Sequence, residues 1–220
     1  MWAYVRSAPW TFGWISLLLV TTVIQHSVSA ATLDRLLGAR STNLHNLHEH
    51  PVRVLVLSLL WIDGAHWLPY LLAYIIFHAT AERWLGSIRW LIIGLTGHIA
   101  ATYISQGILL YVIDTGSASH DMVDTLDVGV SYFLAAIIGV LIYHIASPWR
   151  WLYFAATMLK YGVPVIGGGF TDIGHFTALL IGFACYPLIR ARPNQLYDPR
   201  QTYQWCRDRA AALASRPAGR

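Results

Sequence analysis

The stretch "LDVGVSYFLAAIIGV", residues 126–140, combines an apolar helix pattern with small residues at a regular spacing. Ser131, Ala135 and Gly139 recur every four residues, so they share one face of a helix. Apolar side chains gain little by leaving lipid for a helix interface, and small residues that let two backbones approach are therefore typical of contacts between membrane helices. The stretch predicts a closely packed transmembrane helix with one serine on its contact face.

A second stretch, residues 173–189, carries a matching face. Gly174, Ala178 and Gly182 also repeat every four residues, and His175 directly follows Gly174. Contact between the two faces would bring Ser131 and His175 together inside the bundle, where neutral imidazole is a suitable base for a serine hydroxyl. Alone, each residue has an ordinary explanation, since a serine in a membrane helix usually bonds a carbonyl one turn back.

The composition places these helices in a membrane. The chain is 56% hydrophobic and 12% charged, whereas a soluble domain carries about 25% charged residues. We predict an all-α membrane protein, a bundle of six transmembrane helices, from the apolar segments 10–28, 67–81, 88–113, 128–146, 149–166 and 173–189. The apolar stretch 52–61 is too short to cross and is predicted to lie along one leaflet, as part of a membrane-embedded first loop.

One transmembrane domain is predicted over residues 1–190, with the first span at about 10–28 and an outer loop at about 29–65. Residues 191–220 form a polar, arginine-rich tail. Arg6, the apolar run and the "VSA" at 28–30 would also suit a signal peptide. Aromatic residues near the start of the run, Trp10 and Trp14 among them, are typical of an interfacial belt and favour a retained helix.

The basic residues predict the orientation. If the N-terminus is inside, eleven Lys and Arg residues lie inside and four lie outside, which places both termini in the cytoplasm. The loop 114–127 holds four aspartates and no Lys or Arg, as expected of an outer loop. Basic residues at membrane edges set topology, so they do not indicate nucleic acid. Fourteen of the fifteen basic residues are arginine, a bias that favours a GC-rich bacterial genome and, with the apolar segments, a bacterial cell membrane.

Other polar residues suggest less specific roles. The segment "NLHNLHEHP", residues 43–51, contains imidazole and carboxylate groups that suit zinc or copper, but its spacing matches no metal motif, so no metal or cofactor is assigned. An interfacial amphipathic helix is the preferred interpretation, and a His-rich metal or haem protein stays a third alternative. Asp127 and Asp172 are predicted to cap the fourth and sixth helices, although Asp172 is also placed to orient His175.

In these motifs the sequence resembles the rhomboid intramembrane serine proteases over roughly residues 52–190. The family's Gly-x-Ser motif corresponds to Gly129-Val130-Ser131, and its sixth-helix histidine with small residues corresponds to "GHFTALLIG" at 174–182. An arginine in the first outer loop, a histidine at the start of the second helix and an acidic residue at its end also match. These are Arg53, His66 and Glu82, the last within "AERWLGS" at 81–87.

The resemblance implies roles for these residues. Ser131 would be the nucleophile, His175 the general base, and His66 would join Ser131 in the oxyanion site, while Arg53, Glu82 and Gly182 would be structural. The partners implied are transmembrane protein substrates or clients in the bilayer, with no cofactor. Nothing in the sequence predicts the oligomeric state.

The sequence departs from the rhomboid pattern at three positions. Tyr132 stands where glycine is common, Tyr70 where asparagine is expected, and Ala135 where an aromatic residue usually backs the histidine. Tyr70, Tyr132 and Gly129 are therefore predicted to shape the cleft. Two functions stay open: a protease, and a catalytically inactive relative that binds or routes transmembrane helices.

Overall fold

The computed structural model describes residues 2–190 and 196–214, and these residues are largely helical. The α-helices are α1 Trp2–Arg6, α2 Pro9–Ser27, α3 Ala30–Gly38, α4 Leu44–Glu49, α5 Pro51–Leu57, α6 Trp67–Ala73, α7 Ala79–Leu85, α8 Ser87–Asp114, α9 Val130–Val140, α10 Trp149–Val165, α11 Phe170–Ala184, α12 Tyr186–Ile189 and α13 Pro199–Ala214. A π-helical turn, Tyr74–His78, joins α6 to α7, and the 3-10 turn Leu141–His144 extends α9.

Each of the six predicted apolar segments falls on a helix: α2, α6 with α7, α8, α9 with its turn, α10 and α11. Within the described part of the chain, α8 is the one helix long and apolar enough to cross a membrane by itself. Pro51–Ala65 and Trp67–Leu85 meet this criterion jointly but are bent by 117° between them. Crossing by all six helices therefore stays a prediction.

The centre of the fold is built on glycine contacts between α8, α9 and α11. A Cβ atom at Gly182 would lie 3.0 Å from the Cα of Gly139 and nearer still to the carbonyl oxygen of Ala136. On the other side of α9, a Cβ atom at Gly97 would meet the Ala136 methyl group. The two small-residue faces identified in the sequence therefore lie against each other, and the backbones of α9 and α11 touch.

The first long helix, α2, is part of this core. The buried Glu82 carboxylate accepts hydrogen bonds from the backbone N–H groups of Trp10 (3.2 Å) and Thr11 (2.8 Å), at the positive end of the helix dipole. The Trp14 ring contacts Phe133 of α9 at 4.8 Å between centroids, and its Nε1 donates to the Leu59 carbonyl (2.8 Å). This packing makes α2 part of the bundle core, and retention of the first helix stays a prediction.

The outer surface of the bundle is apolar while its interior holds polar groups. Leucine, isoleucine and valine side chains on the outward faces of the long helices are exposed, for example Val20, Ile92 and Leu159. Buried Gln106 and His98 lie inside. A contiguous apolar surface of this kind suits lipid and would be a liability in water.

The predicted tail lies partly within the described residues. Residues 191–195 and 215–220 lie outside the described residues. Between them, Tyr197 pairs with the chain after α9: its N–H donates to the His144 carbonyl (2.7 Å), and its carbonyl accepts from Ala146 N–H (3.0 Å). The helix α13 follows, so the tail is not a wholly irregular segment.

Candidate active site

Ser131 and His175 line the same cavity. It has a volume of about 400 Å³ and lies between the second-helix region α6 with its π-turn, α9, α10 and α11. The other polar side chains in its lining are Tyr70, Lys160, Tyr161 and Asp172. The contact between the small-residue faces of α9 and α11 is what brings the serine and the histidine to one place.

Ser131 is the second residue of α9 and is half-buried. Its hydroxyl donates to the Val128 carbonyl at 3.5 Å, the local bond expected of a serine in a membrane helix. No hydrogen bond joins it to His175 in the described structure. The serine and histidine share a cavity, but in this conformation they are not hydrogen-bonded.

Tyr132 packs behind His175 and outside the lining of the cavity. It is fully buried, and its ring meets the imidazole edge-on with 4.9 Å between centroids. A Cβ atom at Gly174 would lie 2.6 Å from the Tyr132 Oη, so glycine is required beneath the ring. The hydroxyl lies near Ser105, Asp127 and Thr171. The tyrosine supports the histidine and leaves the cleft free.

Gly129 lies against a histidine from another helix. A Cβ atom at this position would overlap the imidazole ring of His98 on α8. The Nε2 of His98 is 3.0 Å from the Leu55 carbonyl, so the ring links Gly129 to the first outer loop. His98 therefore fills the space that a side chain at position 129 would need, and the predicted role of Gly129 in shaping the cleft stays a prediction.

Asp127 connects the start of α9 to the first loop. Its N–H donates to the Ser41 hydroxyl (2.8 Å), its carbonyl accepts from Thr42 N–H (2.9 Å), and its Oδ2 accepts from Gln106 Nε2 (3.1 Å). The predicted cap was wrong, since the N-cap position of α9 is Gly129 and no side chain caps it. The buried carboxylate instead takes part in hydrogen bonds to residues that are distant in the chain.

Burial changes the titration of this carboxylate, which lies in the connection before α9. Desolvation raises the pKa of Asp127 from 3.8 to about 6, and hydrogen bonds such as that from Gln106 oppose the rise only in part. Because the folded chain binds the proton more tightly than the unfolded chain, protonation stabilises the fold. That contribution is complete below pH 3.8 and is lost as the pH rises through 6.

The remaining predicted residues are distributed around the site. Tyr70 lines the cavity, whereas His66 is exposed at the start of α6 and lies outside the lining. Arg53 is exposed on α5. Asp172 was predicted as a cap, but α11 begins two residues earlier, at Phe170, with Gly169 at the N-cap position and no side-chain cap. Asp172 therefore lies in the first turn and faces the cavity.

A comparison with protein families identifies the chain. The family model described as "Rhomboid-like protein" matches residues 3–195. The chain belongs to the rhomboid-like protein family. No significant match was found among curated proteins or solved structures. Membership makes this chain a membrane protein of a family that includes intramembrane serine proteases and inactive relatives.

Sequence reasoning missed two polar residues of this rhomboid-like site. Lys160 and Tyr161, near the end of α10, line the cavity with His175, and the Tyr161 ring is 6.3 Å from the imidazole. One signal was present in the sequence: Lys160 is the only lysine and interrupts an apolar segment. An ionisable residue in such a segment suggests a functional site.

The His-rich loop of the rhomboid-like chain forms helix α4. His45 Nε2 lies 3.6 Å from Glu49 Oε2, one turn away, and both side chains are exposed. Across the described residues, no group of three or more His, Cys, Asp or Glu side chains is placed to hold a metal ion. Leu47 is buried within the protein, whereas the interfacial interpretation expects this side chain to dip into the bilayer.

The contact between Gly129 and His98 leads to a first prediction. We expect Gly129→Ala to lower the free energy of unfolding by about 1–3 kcal/mol, because the added methyl group overlaps the imidazole. His98→Ala should restore part of this loss in the double variant, giving a positive coupling in a double-mutant cycle. Thermal unfolding in detergent provides the measurement. A Gly129→Ala variant as stable as wild type would contradict the packing.

Proposed function

We propose that this rhomboid-like chain is an intramembrane serine protease that cleaves transmembrane substrates through a Ser131–His175 dyad. The observation that carries the proposal is that Ser131 and His175 line one cavity. In a family that includes serine proteases, this is the pairing that the chemistry requires: a hydroxyl beside a group that can take its proton.

The reaction would proceed through an acyl-enzyme. Ser131 Oγ attacks the carbonyl carbon of the scissile peptide bond, and its proton passes to the His175 imidazole. The imidazolium then donates that proton to the leaving amine as the C–N bond breaks, which leaves an ester on Ser131. Water loses a proton to His175 and attacks the ester, releasing the new carboxylate and restoring the serine hydroxyl.

The start of α9 supplies a site for the developing oxyanion. The first intrahelical bonds run from the N–H groups of Tyr132 and Phe133 to the Gly129 carbonyl, so the amide of Ser131 precedes them at the positive end of the helix. We propose this amide as one oxyanion donor. His66 is proposed as the second, and its exposed position requires a movement toward the cavity when substrate binds.

Tyr132 supports the protease interpretation despite its departure from the family pattern. Rhomboid proteases are expected to back the histidine with an aromatic residue at the position of Ala135. Here the edge of the Tyr132 ring contacts the imidazole, while Ala135 is fully buried beside Tyr132 in the same apolar cluster. An aromatic ring therefore supports His175 from a different position in α9.

The test is covalent labelling of the purified full chain with a fluorophosphonate, read by mass spectrometry. We expect one adduct, on Ser131, which is absent in Ser131→Ala and reduced by about 100-fold or more in rate in His175→Ala, since the unassisted hydroxyl is a poor nucleophile. Lys160→Met, which alters the same cavity, should keep the labelling rate within severalfold. Labelling that persists without Ser131, or no adduct on the wild type, would refute the protease.

A second function is favoured by one observation: the Ser131 hydroxyl bonds the Val128 carbonyl instead of His175. An inactive relative would use the same cavity to hold a transmembrane helix. A photo-crosslinking residue in place of Leu134, which lines the cavity, would then capture a transmembrane peptide equally in the wild type and in Ser131→Ala. The protease predicts that the captured peptide is cleaved only when Ser131 is present.

We also propose a bacterial cell membrane location with both termini in the cytoplasm. Arg83, Arg89, Arg150 and Arg190 lie at helix ends remote from the start of α9, which supports this orientation under the positive-inside rule. If the C-terminus is cytoplasmic, a fluorescent protein fused after Arg220 should be fluorescent in a bacterial host, whereas alkaline phosphatase fused at the same point should be inactive. Active phosphatase would contradict the orientation.

A further inference from the structure

A second polar cavity lies at the end of the bundle opposite to Ser131. It has a volume of about 400 Å³ and is lined by the two basic residues Arg150 and Arg190 and by three aromatic residues, Trp84, Tyr143 and Tyr186. These residues come from the end of α7, the turn after α9, the start of α10, and α12 with the residue that follows it. Ser131 and His175 lie at the opposite ends of α9 and α11.

The position of Arg150 is fixed by its own chain. Its Nε donates to the Ile145 carbonyl at 3.0 Å. This bond holds the base of the guanidinium group, and the two terminal nitrogens keep their donors for a ligand. Arg150 is therefore partly ordered before a ligand arrives, which reduces the entropy lost on binding.

No negative charge balances the two arginines. In residues 2–190 and 196–209, the ion pairs formed are His45 with Glu49 and Arg207 with Asp208, so neither Arg150 nor Arg190 is paired there. Residues 191–195, which continue the chain after Arg190, contain no acidic residue in the sequence. Two arginines in one cavity repel each other, and an anion bound between them would relieve that repulsion.

We propose that this cavity binds a phosphate group, supplied by the headgroup of an anionic phospholipid. The planar guanidinium group donates in parallel to two phosphate oxygens, a geometry that a single ammonium charge does not reproduce. Tyr and Trp side chains are suited to the headgroup level of a membrane. Leu152 of α10 and Leu188 of α12, each two residues along the chain from a lining arginine, are exposed, so acyl chains can follow the apolar helix surfaces. The site is independent of catalysis at Ser131.

The experiment uses the purified full chain in detergent and measures phosphatidylglycerol and phosphatidylcholine binding by native mass spectrometry. Phosphatidylglycerol should bind at least about tenfold more tightly than phosphatidylcholine. The double variant Arg150→Gln with Arg190→Gln should bind phosphatidylglycerol at least about tenfold more weakly than the wild type, because each charge-assisted bond is strong. The matched control is Arg89→Gln with Arg207→Gln, which removes the same two charges from exposed positions outside the cavity. Its effect should stay within about twofold.

Two further arms keep the result decisive. Arg150→Lys with Arg190→Lys retains the charge and the fold but loses the parallel donors, so an intermediate loss is expected even if the glutamine pair does not fold. Glycerol 3-phosphate tests a soluble source: binding that depends on the same arginines, without lipid binding, keeps the phosphate site and replaces the lipid. Equal retention of both lipids with no glycerol 3-phosphate binding, or an equal loss in the control variant, would overturn the proposal.

Discussion

Replacing Ser131 with alanine is expected to reduce cleavage of a model transmembrane substrate by about 10⁴-fold or more, to the background rate. The reason is that Ser131 carries the one serine or threonine hydroxyl in the cavity lining, and an imidazole base activates such a hydroxyl for acyl transfer. The measurement is the rate of product formation, with enzyme and substrate reconstituted in the same vesicles. Thermal unfolding of the variant should match the wild type, because the hydroxyl makes only one local bond, to Val128.

The dyad also predicts how the variants combine. Ser131→Ala with His175→Ala should be no slower than Ser131→Ala alone, because two residues that act as a unit are not additive. Asp172→Asn, in the same cavity and one turn before the histidine, is expected to cost only severalfold. If His175→Ala cleaves at the wild-type rate, or if Asp172→Asn is as damaging as His175→Ala, a different base operates.

Gly182→Ala is expected to produce the largest loss of stability, about 3 kcal/mol in the free energy of unfolding, at the upper end of overpacking costs. The added methyl group would meet the backbone of Ala136 and Gly139. A backbone cannot turn aside as a flexible side chain can, so α9 and α11 must separate. That movement would also displace Ser131 from His175, and labelling at Ser131 should fall with it.

The matched control is another helical glycine. Gly107→Ala changes α8 at an exposed position with nothing within 4 Å of the new Cβ atom. It should leave the stability unchanged or raise it by up to about 1 kcal/mol, because alanine is the better helix former. Equal effects of the two substitutions on thermal unfolding would show that the contact between α9 and α11 is not close.

Several features of this protein follow from local patterns in the sequence. The apolar segments predicted the positions of the long helices, and the spacing of Ser131, Ala135 and Gly139 predicted the contact face of α9. Because side chains four residues apart share a helix face, the same spacing at Gly174, Ala178 and Gly182 predicted that this second face packs against the first. That pairing predicts that Ser131 and His175 meet inside the bundle.

Other features depend on neighbours that are distant in the chain, and here prediction failed or made no statement. Asp127 read as a helix cap because capping is the common local use of aspartate. In the fold, its N–H group donates to the Ser41 hydroxyl, and its carboxylate accepts a hydrogen bond from Gln106. Similarly, no local pattern indicates that His98, from another helix, packs against Gly129.

The sequence by itself therefore determined the helical class, the positions of the long helices and the proximity of Ser131 and His175, because each follows from composition or helical periodicity. The tertiary structure decided what surrounds the pair: Lys160 in the cavity and Tyr132 behind the imidazole. It alone brought Arg150 and Arg190 into one cavity. The physical reason is that periodicity specifies which face of its helix a residue occupies. Which residues of different helices contact each other depends on how the helices pack.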